Sequence, residues 1–222
     1  MSFLTPLMEK PWVQGGSPKW QGLGREHTRK AGLRLLLAVV SVLFFLFIVA
    51  FLMRSQYPDW QPLAETSNNP LFNKSILWLN SLYLLAASIC LQVARANARR
   101  QNRLTLRFGL ILAGLFSAAF VTGQLMFWQQ LYQQGFVVNA NPALSFFYIF
   151  TGLHAVHVSI GLLAWLGALA AMLRNSPKLS QYIDLCATYW HFLFGLWLVL
   201  FALLVSKPET YNAIADFCGL GA

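Results

Sequence analysis

Residues 108–173 read FGLILAGLFSAAFVTGQLMFWQQLYQQGFVVNANPALSFFYIFTGLHAVHVSIGLLAWLGALAAML and contain no Asp, Glu, Lys or Arg. A membrane-spanning helix needs about 20 mostly apolar residues, because each residue advances it by about 1.5 Å through a hydrocarbon layer about 30 Å thick. The stretch is too long for one span. Polar, turn-forming segments at 132–135 and 139–142 divide it, which predicts two spanning helices, 108–131 and 144–173.

Three further apolar segments have the length of a span: 35–53, 75–94 and 185–206. None of the nine prolines falls inside any of the five segments, as continuous helices require. The sequence therefore predicts an all-α integral membrane protein, a bundle of five transmembrane helices over 35–206. We expect a basic, flexible arm before the bundle (1–34) and a short tail after it (207–222).

The composition agrees with this class, since 57% of the residues are hydrophobic and only 10% are charged, against about a quarter charged in soluble domains. The net charge of +9 comes from short basic clusters between the apolar runs. A nucleic-acid-binding protein would instead carry a basic face on a soluble surface, so no nucleic-acid partner is expected.

The basic clusters also predict the orientation of the chain. Thirteen Lys and Arg residues fall in the segments on one side of the five spans, and three (Arg54, Lys74 and Lys207) fall on the other. By the positive-inside rule the N-terminus is cytoplasmic and the C-terminus periplasmic, in a bacterial inner membrane.

The three cysteines, Cys90, Cys186 and Cys218, are widely spaced and form no CxxC or CxxCH motif. The sequence thus offers neither a zinc-knuckle pattern nor an attachment motif for c-type haem. Apolar packing is the prediction for Cys90 and Cys186.

A proton pump or cation transporter needs titratable side chains placed through the membrane. The five spans contain only three such groups, His154, His157 and His191. Independent transport is therefore disfavoured. His154 and His157 lie three residues apart on one helix face and cannot be opposite axial ligands of one haem. We expect neutral imidazoles that hydrogen-bond to neighbouring helices, with a metal site or contact with a lipid headgroup as the alternatives.

Other polar and small residues in the spans indicate helix packing. Asn80 and Gln124 are suited to hydrogen bonds between helices. The small-residue pairs Gly109/Ala113, Gly114/Ala118 and Ala119/Gly123 would let the third helix approach a neighbour closely. Asp184 lies at the start of the fifth helix, where a carboxylate complements the helix N-terminus.

Two motifs resemble a known family. Ser145-Phe146-Phe147, followed by Thr151-Gly152-Leu153-His154-Ala155-Val156-His157-Val158-Ser159-Ile160-Gly161, resembles the S-x-F-F-x-x-T-G-F-H-G-x-H-V-x-I-G segment of subunit III of haem-copper cytochrome c oxidases. Tyr189-Trp190-His191-Phe192, with Trp197 beyond it, resembles that family's Y-W-H-F-V-D-x-x-W segment. Asp184 stands where the family places an acidic residue, seven positions before the histidine.

The chain departs from the family pattern at three carboxylates. Ser41, Phe127 and Phe194 stand where the family has acidic residues within the membrane. The resemblance is to the five-helix bacterial members, which lack the first two helices of the seven-helix form.

The resemblance implies a non-catalytic subunit that carries no cofactor, stabilises the catalytic subunit and holds phospholipid. Its partners would be oxidase subunits I and II, and the haem and copper would belong to the catalytic one. Without the three carboxylates a direct proton role is disfavoured. The motif residues that the resemblance assigns to structural, lipid or subunit contacts are Asn80, Gln124, Thr151, Gly152, His154, His157, Gly161, Asp184, Tyr189, Trp190, His191, Phe192 and Trp197.

We further predict which side chains face inward. His154, His157, His191, Asn80 and Gln124 are predicted to face the bundle interior, and Trp165 and Trp197 to contact lipid or the partner subunit.

The alternatives are an accessory subunit of a nitric oxide reductase or of a quinol oxidase and, more remotely, a free-standing b-type cytochrome, quinone-binding protein or transporter. The co-purifying chains and an absorption spectrum of the isolated chain discriminate among them.

Overall fold

The computed structural model describes residues 18–63, 75–100, 102–139 and 141–219, and the side chains from residue 27 onward. These residues form helices and connecting turns, with no strand among them. Five of the helices are long and apolar enough to cross a membrane, which confirms the predicted fold class. In chain order the helices are α1 (Pro18–Arg54), α2 (Ser75–Arg99), α3 (Arg103–Gln133), α4 (Pro142–Leu173), α5 (Leu179–Val205) and α6 (Pro208–Phe217).

The break between α3 and α4 lies where the sequence predicts it. Asn141 precedes α4, and its Oδ1 accepts the backbone N–H of Leu144 at 2.8 Å. Pro142 occupies the first turn, where its missing N–H costs no helical hydrogen bond. Asn102 caps α3 in the same manner, with its Oδ1 3.4 Å from the Thr105 nitrogen.

The structure differs from the predicted arm and tail. Residues 1–17 lie outside the described residues, but 18–34, predicted as part of a flexible arm, form the first half of α1. No proline follows Pro18 until Pro58, so nothing in the backbone stops the helix from extending past its apolar part. Lys30 also lies 3.7 Å from Asp184 of α5. In the tail, residues 208–217 form α6.

Helices α2 and α3 make the most extensive contact in the bundle. Gly109 permits it, because a Cβ at this position would lie 3.0 Å from the Cys90 carbonyl oxygen and 3.2 Å from the Ala94 nitrogen. Leu84 and Leu110 are fully buried. The predicted close approach of the third helix is therefore made to α2.

The second contact layer joins α4 and α5 around large aromatic side chains, and α1 lies along one side of this pair. Phe44 and Phe51 are the inward residues of α1, exposed by 1% and 2%. The opposite face of α1 presents apolar side chains such as Leu35, Val39 and Phe45, each more than 60% exposed.

The bundle has two chemically different ends. We call one the basic end, because Lys30, Arg95, Arg103 and Asp184 lie there. At the other end the loop after α1 packs on α6, where Trp60 Nε1 donates a hydrogen bond to the Tyr211 hydroxyl at 3.0 Å. The first and fifth spans enter from the basic end, so α6 lies at the other end.

Candidate functional site

Polar side chains join the helices in layers, and the first layer is an ion-pair cluster at the basic end. Asp184 Oδ1 accepts Nε of Arg95 at 2.6 Å and Nη2 of Arg99 at 3.3 Å, and Oδ2 lies 3.7 Å from Lys30 Nζ. The carboxylate is mostly buried, with 18% of its side chain exposed. One anion thus links α1, α2 and α5.

This geometry changes the interpretation of Asp184. Helix α5 begins at Leu179, and its first turn contains no acidic residue. Asp184 therefore lies in the second turn, and it pairs with side chains of other helices instead of complementing the helix N-terminus as predicted.

A second polar layer lies deeper in the bundle, between α2 and α5. His191 Nδ1 is 2.5 Å from the Ser88 hydroxyl, and its Nε2 is 3.1 Å from Gln92 Oε1. Because the Gln92 oxygen can only accept, Nε2 carries the ring proton and Nδ1 accepts the serine O–H. His191 makes the predicted hydrogen bond to a neighbouring helix.

A third layer contains two further links from α2. Asn80 Nδ2 donates to Gln124 Oε1 of α3 at 3.2 Å, and both side chains are buried. The indole N–H of Trp197 in α5 donates to Ser81 Oγ at 2.9 Å. These bonds place three helices in register.

The prediction that Trp197 faces lipid or a partner is wrong, whereas Trp165 keeps part of its ring exposed. Trp197 is 1% exposed, because its N–H finds an acceptor only inside the bundle, at Ser81. Trp165 is half-buried, its N–H donates to the Leu110 carbonyl at 2.9 Å, and its ring covers Gly114. An indole donor in hydrocarbon is costly unless it is paired, and both indole N–H groups are bonded within the bundle.

His154 is buried, as predicted, but without the predicted hydrogen bond. Its ring lies between two aromatic rings, 5.2 Å from Trp197 and 6.0 Å from Phe120 between centroids. Neither ring nitrogen has a partner among the described residues, and the same holds for Gln124 Nε2. His154 therefore joins α3, α4 and α5 by packing.

His157 points toward a different helix from His154. Its Nδ1 lies 2.8 Å from the Leu153 carbonyl oxygen of its own helix, and its ring meets Phe44 of α1 at 5.7 Å. The hydrogen bond to a neighbouring helix that we predicted for its ring is absent from the described contacts. The Tyr189 hydroxyl instead donates to the His157 backbone oxygen at 3.1 Å, joining α5 to α4.

The remaining motif residues divide into packed and unpacked positions. Thr151 Oγ1 accepts the Trp128 indole N–H at 3.2 Å. A Cβ at Gly161 would lie 3.2 Å from side-chain atoms of α5, whereas a Cβ at Gly152 would meet nothing within 4 Å. Trp190 is fully buried, and Phe192 packs at the edge of the core.

The three positions that lack the family carboxylates have different surroundings. Ser41 is exposed and its hydroxyl donates to the Leu37 carbonyl of its own helix at 2.8 Å. Phe127 is 3% exposed and packs against Phe147 at 6.0 Å. Phe194 is half-buried beside the core.

The described residues include no group of three or more His, Cys, Asp and Glu side chains close enough to hold a metal ion. The three membrane histidines contact different helices and do not converge. The arrangement is suited to holding helices together, and the described side chains supply hydrogen bonds, ring contacts and one ion-pair cluster for that purpose.

Sequence reasoning missed several of the partner residues. Ser81, Ser88 and Gln92 are polar residues that recur near helical spacing in α2. This spacing is the signal that they face one neighbouring helix. Arg95 and Arg99 are four residues apart, and in the charge pattern they indicate only the orientation of the chain. Their shared partner, Asp184, is 85 residues or more away in sequence.

Comparison with known proteins identifies the family. The family model for cytochrome c oxidase subunit III matches residues 21–206, from the first turn of α1 to the end of α5. Cytochrome c oxidase subunit 3 of Thermostichus vulcanus is 28% identical over 180 residues, which cover 79% of this chain and 86% of that protein.

Two further relatives bear the same name. The protein of Synechocystis sp. is 28% identical over 185 residues, covering 82% of this chain and 76% of the relative. That of Petromyzon marinus is 30% identical over 202 residues, covering 82% and 75%. The family model matches the chain across all five spans, and the fold and the motifs agree with that match. The chain belongs to the cytochrome c oxidase subunit III family.

Proposed function

We propose that this chain is a non-catalytic membrane subunit of an aerobic haem-copper terminal oxidase, in complex with subunits I and II. The observation that carries the proposal is the family match over residues 21–206, which contains every span. In this assignment the haem and copper are held by the catalytic partner, and the oxygen chemistry takes place there.

The chain's role in the complex is structural support. Its inner face is closed by the polar layers around Asp184, His191 and Asn80, so it holds its shape as a unit. Its outer face, such as Leu35 and Val39 of α1, is apolar and exposed. Such a surface is covered by lipid tails or by the apolar helices of a partner, and we assign these positions to subunit and lipid contacts.

A direct role in proton conduction is not part of the proposal. Ser41 and the two phenylalanines, Phe127 and Phe194, cannot take up and release protons at neutral pH. Phe127 is packed in the core against Phe147. At these positions, therefore, the chain has no carboxylate to relay a proton to the catalytic subunit.

The proposed location is the bacterial inner membrane, with the basic end in the cytoplasm and α6 in the periplasm. The charge distribution supports this orientation. Among described residues, Arg29, Lys30, Arg34 and the arginines of the α2–α3 segment gather at the basic end, while Arg54 and Lys207 lie at the other end. Lys and Arg are retained on the cytoplasmic side of membrane proteins.

The test is purification of the full-length tagged chain from native membranes, with mass spectrometry of the co-purifying chains. We expect a twelve-helix haem-copper catalytic subunit and oxygen consumption by the complex. Consumption of nitric oxide in place of oxygen would indicate a nitric oxide reductase, and oxidation of quinol in place of cytochrome c a quinol oxidase. A stoichiometric Soret band on the chain freed of its companions would contradict the proposal.

A further inference from the structure

A polar cavity of about 420 Å³ opens at the basic end, between the start of α3 and the turn that joins α4 to α5. Its polar lining includes Arg103, Arg107, Asn175, Ser176 and Ser180, and no Asp or Glu among the described residues lines it. Arg103 Nη1 donates to Asn175 Oδ1 at 3.1 Å, which holds this guanidinium at the wall of the cavity.

The two arginines of the cavity have no anionic partner among the described side chains. They lie four residues apart on α3, on the same side of the helix. The neighbouring cations, Arg95, Arg99 and Lys30, are by contrast all paired with Asp184. The basic end thus has one cluster in which a single carboxylate offsets part of the charge of three cations, and a pair of cavity arginines without an anionic partner among the described side chains.

The cavity also has an apolar side at the right depth for lipid. Leu106, Met172 and Leu179 contribute to its lining. Helix α4 has 32 residues and is therefore about 48 Å long, more than the hydrocarbon thickness of about 30 Å. Its end at Leu173, beside the cavity, falls at the level of the headgroups.

We propose that this cavity binds the headgroup of an anionic phospholipid of the phosphatidylglycerol type. Arg103 and Arg107 receive the phosphodiester, the Ser176 and Ser180 hydroxyls face the glycerol hydroxyls, and the acyl chains leave along the apolar side. The inference rests on the proposed function, in which the chain holds lipid, and it names the site and the headgroup charge.

The lining selects against the other ligands of similar chemistry. A zwitterionic headgroup brings an ammonium group that two guanidinium groups repel and no lining carboxylate receives. A free phosphate uses the arginines but leaves the apolar side of the cavity uncovered. Basic pockets between membrane helices on the cytoplasmic side are suited to anionic headgroups for these reasons.

The experiment compares the intact complex with an Arg103→Gln/Arg107→Gln variant in detergent. Each is depleted of lipid, then titrated with phosphatidylglycerol, phosphatidylcholine or inorganic phosphate, and bound lipid is counted by native mass spectrometry. The matched control, Arg29→Gln/Arg100→Gln, removes the same charge at the same end but outside the cavity. Both of its arginines are exposed.

We expect the wild type and the control to retain one phosphatidylglycerol that the cavity variant binds at least tenfold more weakly. Phosphatidylcholine should not replace it, and millimolar phosphate should not displace it. A Ser180→Glu variant, which places a carboxylate in the cavity, should lose the same lipid. Equal retention by all variants, or displacement by phosphate, would overturn the inference.

The two proposals fail separately. If an oxidase co-purifies but its bound phosphatidylglycerol does not depend on Arg103 and Arg107, the lipid site is wrong and the proposed function stands. If the lipid depends on these arginines but no oxidase co-purifies, the site stands and the function is wrong.

Discussion

At the scale of single residues, the bundle shows two ways to keep an imidazole inside a membrane. His191 satisfies both ring nitrogens, with Ser88 and Gln92 of α2. His154 satisfies neither among the described residues and is held between the rings of Phe120 and Trp197. The first fixes the distance between two helices through directional bonds, and the second fills space like an aromatic residue.

Replacing His191 by Ala tests the first arrangement. The change removes both hydrogen bonds and leaves Ser88 and Gln92 without their partner, and hydrogen bonds between membrane helices contribute about 1 kcal/mol each. We expect the purified complex to unfold or dissociate at a lower temperature, with its haem absorption bands unchanged while it remains assembled.

The control is Ser159→Ala, whose hydroxyl, among the residues that the structure describes, bonds only to the Ala155 carbonyl of its own helix. It should leave the transition temperature close to that of the wild type. If His191→Ala removed a haem band from a complex that stayed assembled, His191 would be a cofactor ligand and not a link between helices.

At the scale of helices, small residues decide how closely the spans approach. Gly109 faces backbone atoms of α2, and Gly114 lies under the ring of Trp165, whose Cζ2 would be 2.1 Å from an added Cβ. Gly152, although part of the family motif, has open space at its Cβ position. Glycines in these helices are therefore not equivalent, and only some of them are contact points.

A matched pair of substitutions measures this difference. Gly109→Ala should destabilise the complex by about 1–3 kcal/mol, because the methyl group meets the Cys90 carbonyl oxygen and α2 and α3 must move apart. Gly152→Ala should be neutral or slightly stabilising, since it adds a helix-favouring residue without a clash. Midpoints of thermal unfolding in detergent compare the two, and equal midpoints would show that α2 and α3 are not in close contact at Gly109.

At the scale of the whole molecule, the two ends are closed by different chemistry. The basic end is joined by the Asp184 ion-pair cluster, whereas the opposite end is joined by Trp60 and Tyr211, with Phe51 at 5.8 Å from the Tyr211 ring. An exposed ion pair also joins the end of α1 to the loop that follows it, and there the Arg54 guanidinium lowers the pKa of Asp59 by hydrogen bonding. Helix α6 thus packs on the first span and on the loop that follows it.

The orientation of the molecule can be tested with its own cysteines. Cys218 is exposed beside α6, Cys186 is buried, and Cys90 lies within the second span. If α6 is periplasmic, a membrane-impermeant maleimide should label Cys218 in spheroplasts and not in sealed inside-out vesicles.

Two variants control the labelling. Cys218→Ser should abolish it, and Arg100→Cys in that background should restore it only in inside-out vesicles, because Arg100 is exposed at the basic end. The reverse pattern would place the basic end in the periplasm.

The sequence by itself determined the number of spans, the ends of all but the first to within about six residues, the side that carries the positive charge and the family motifs. These depend on local composition, because the transfer of a segment into hydrocarbon is a sum over its own residues. The inward turn of Trp197, the separate surroundings of His154 and His157, the three cations around Asp184 and the arginine-lined cavity were decided only by the tertiary structure. They depend on how each helix is rotated about its axis and on which helix lies opposite, and those are properties of the packed bundle and not of any one segment.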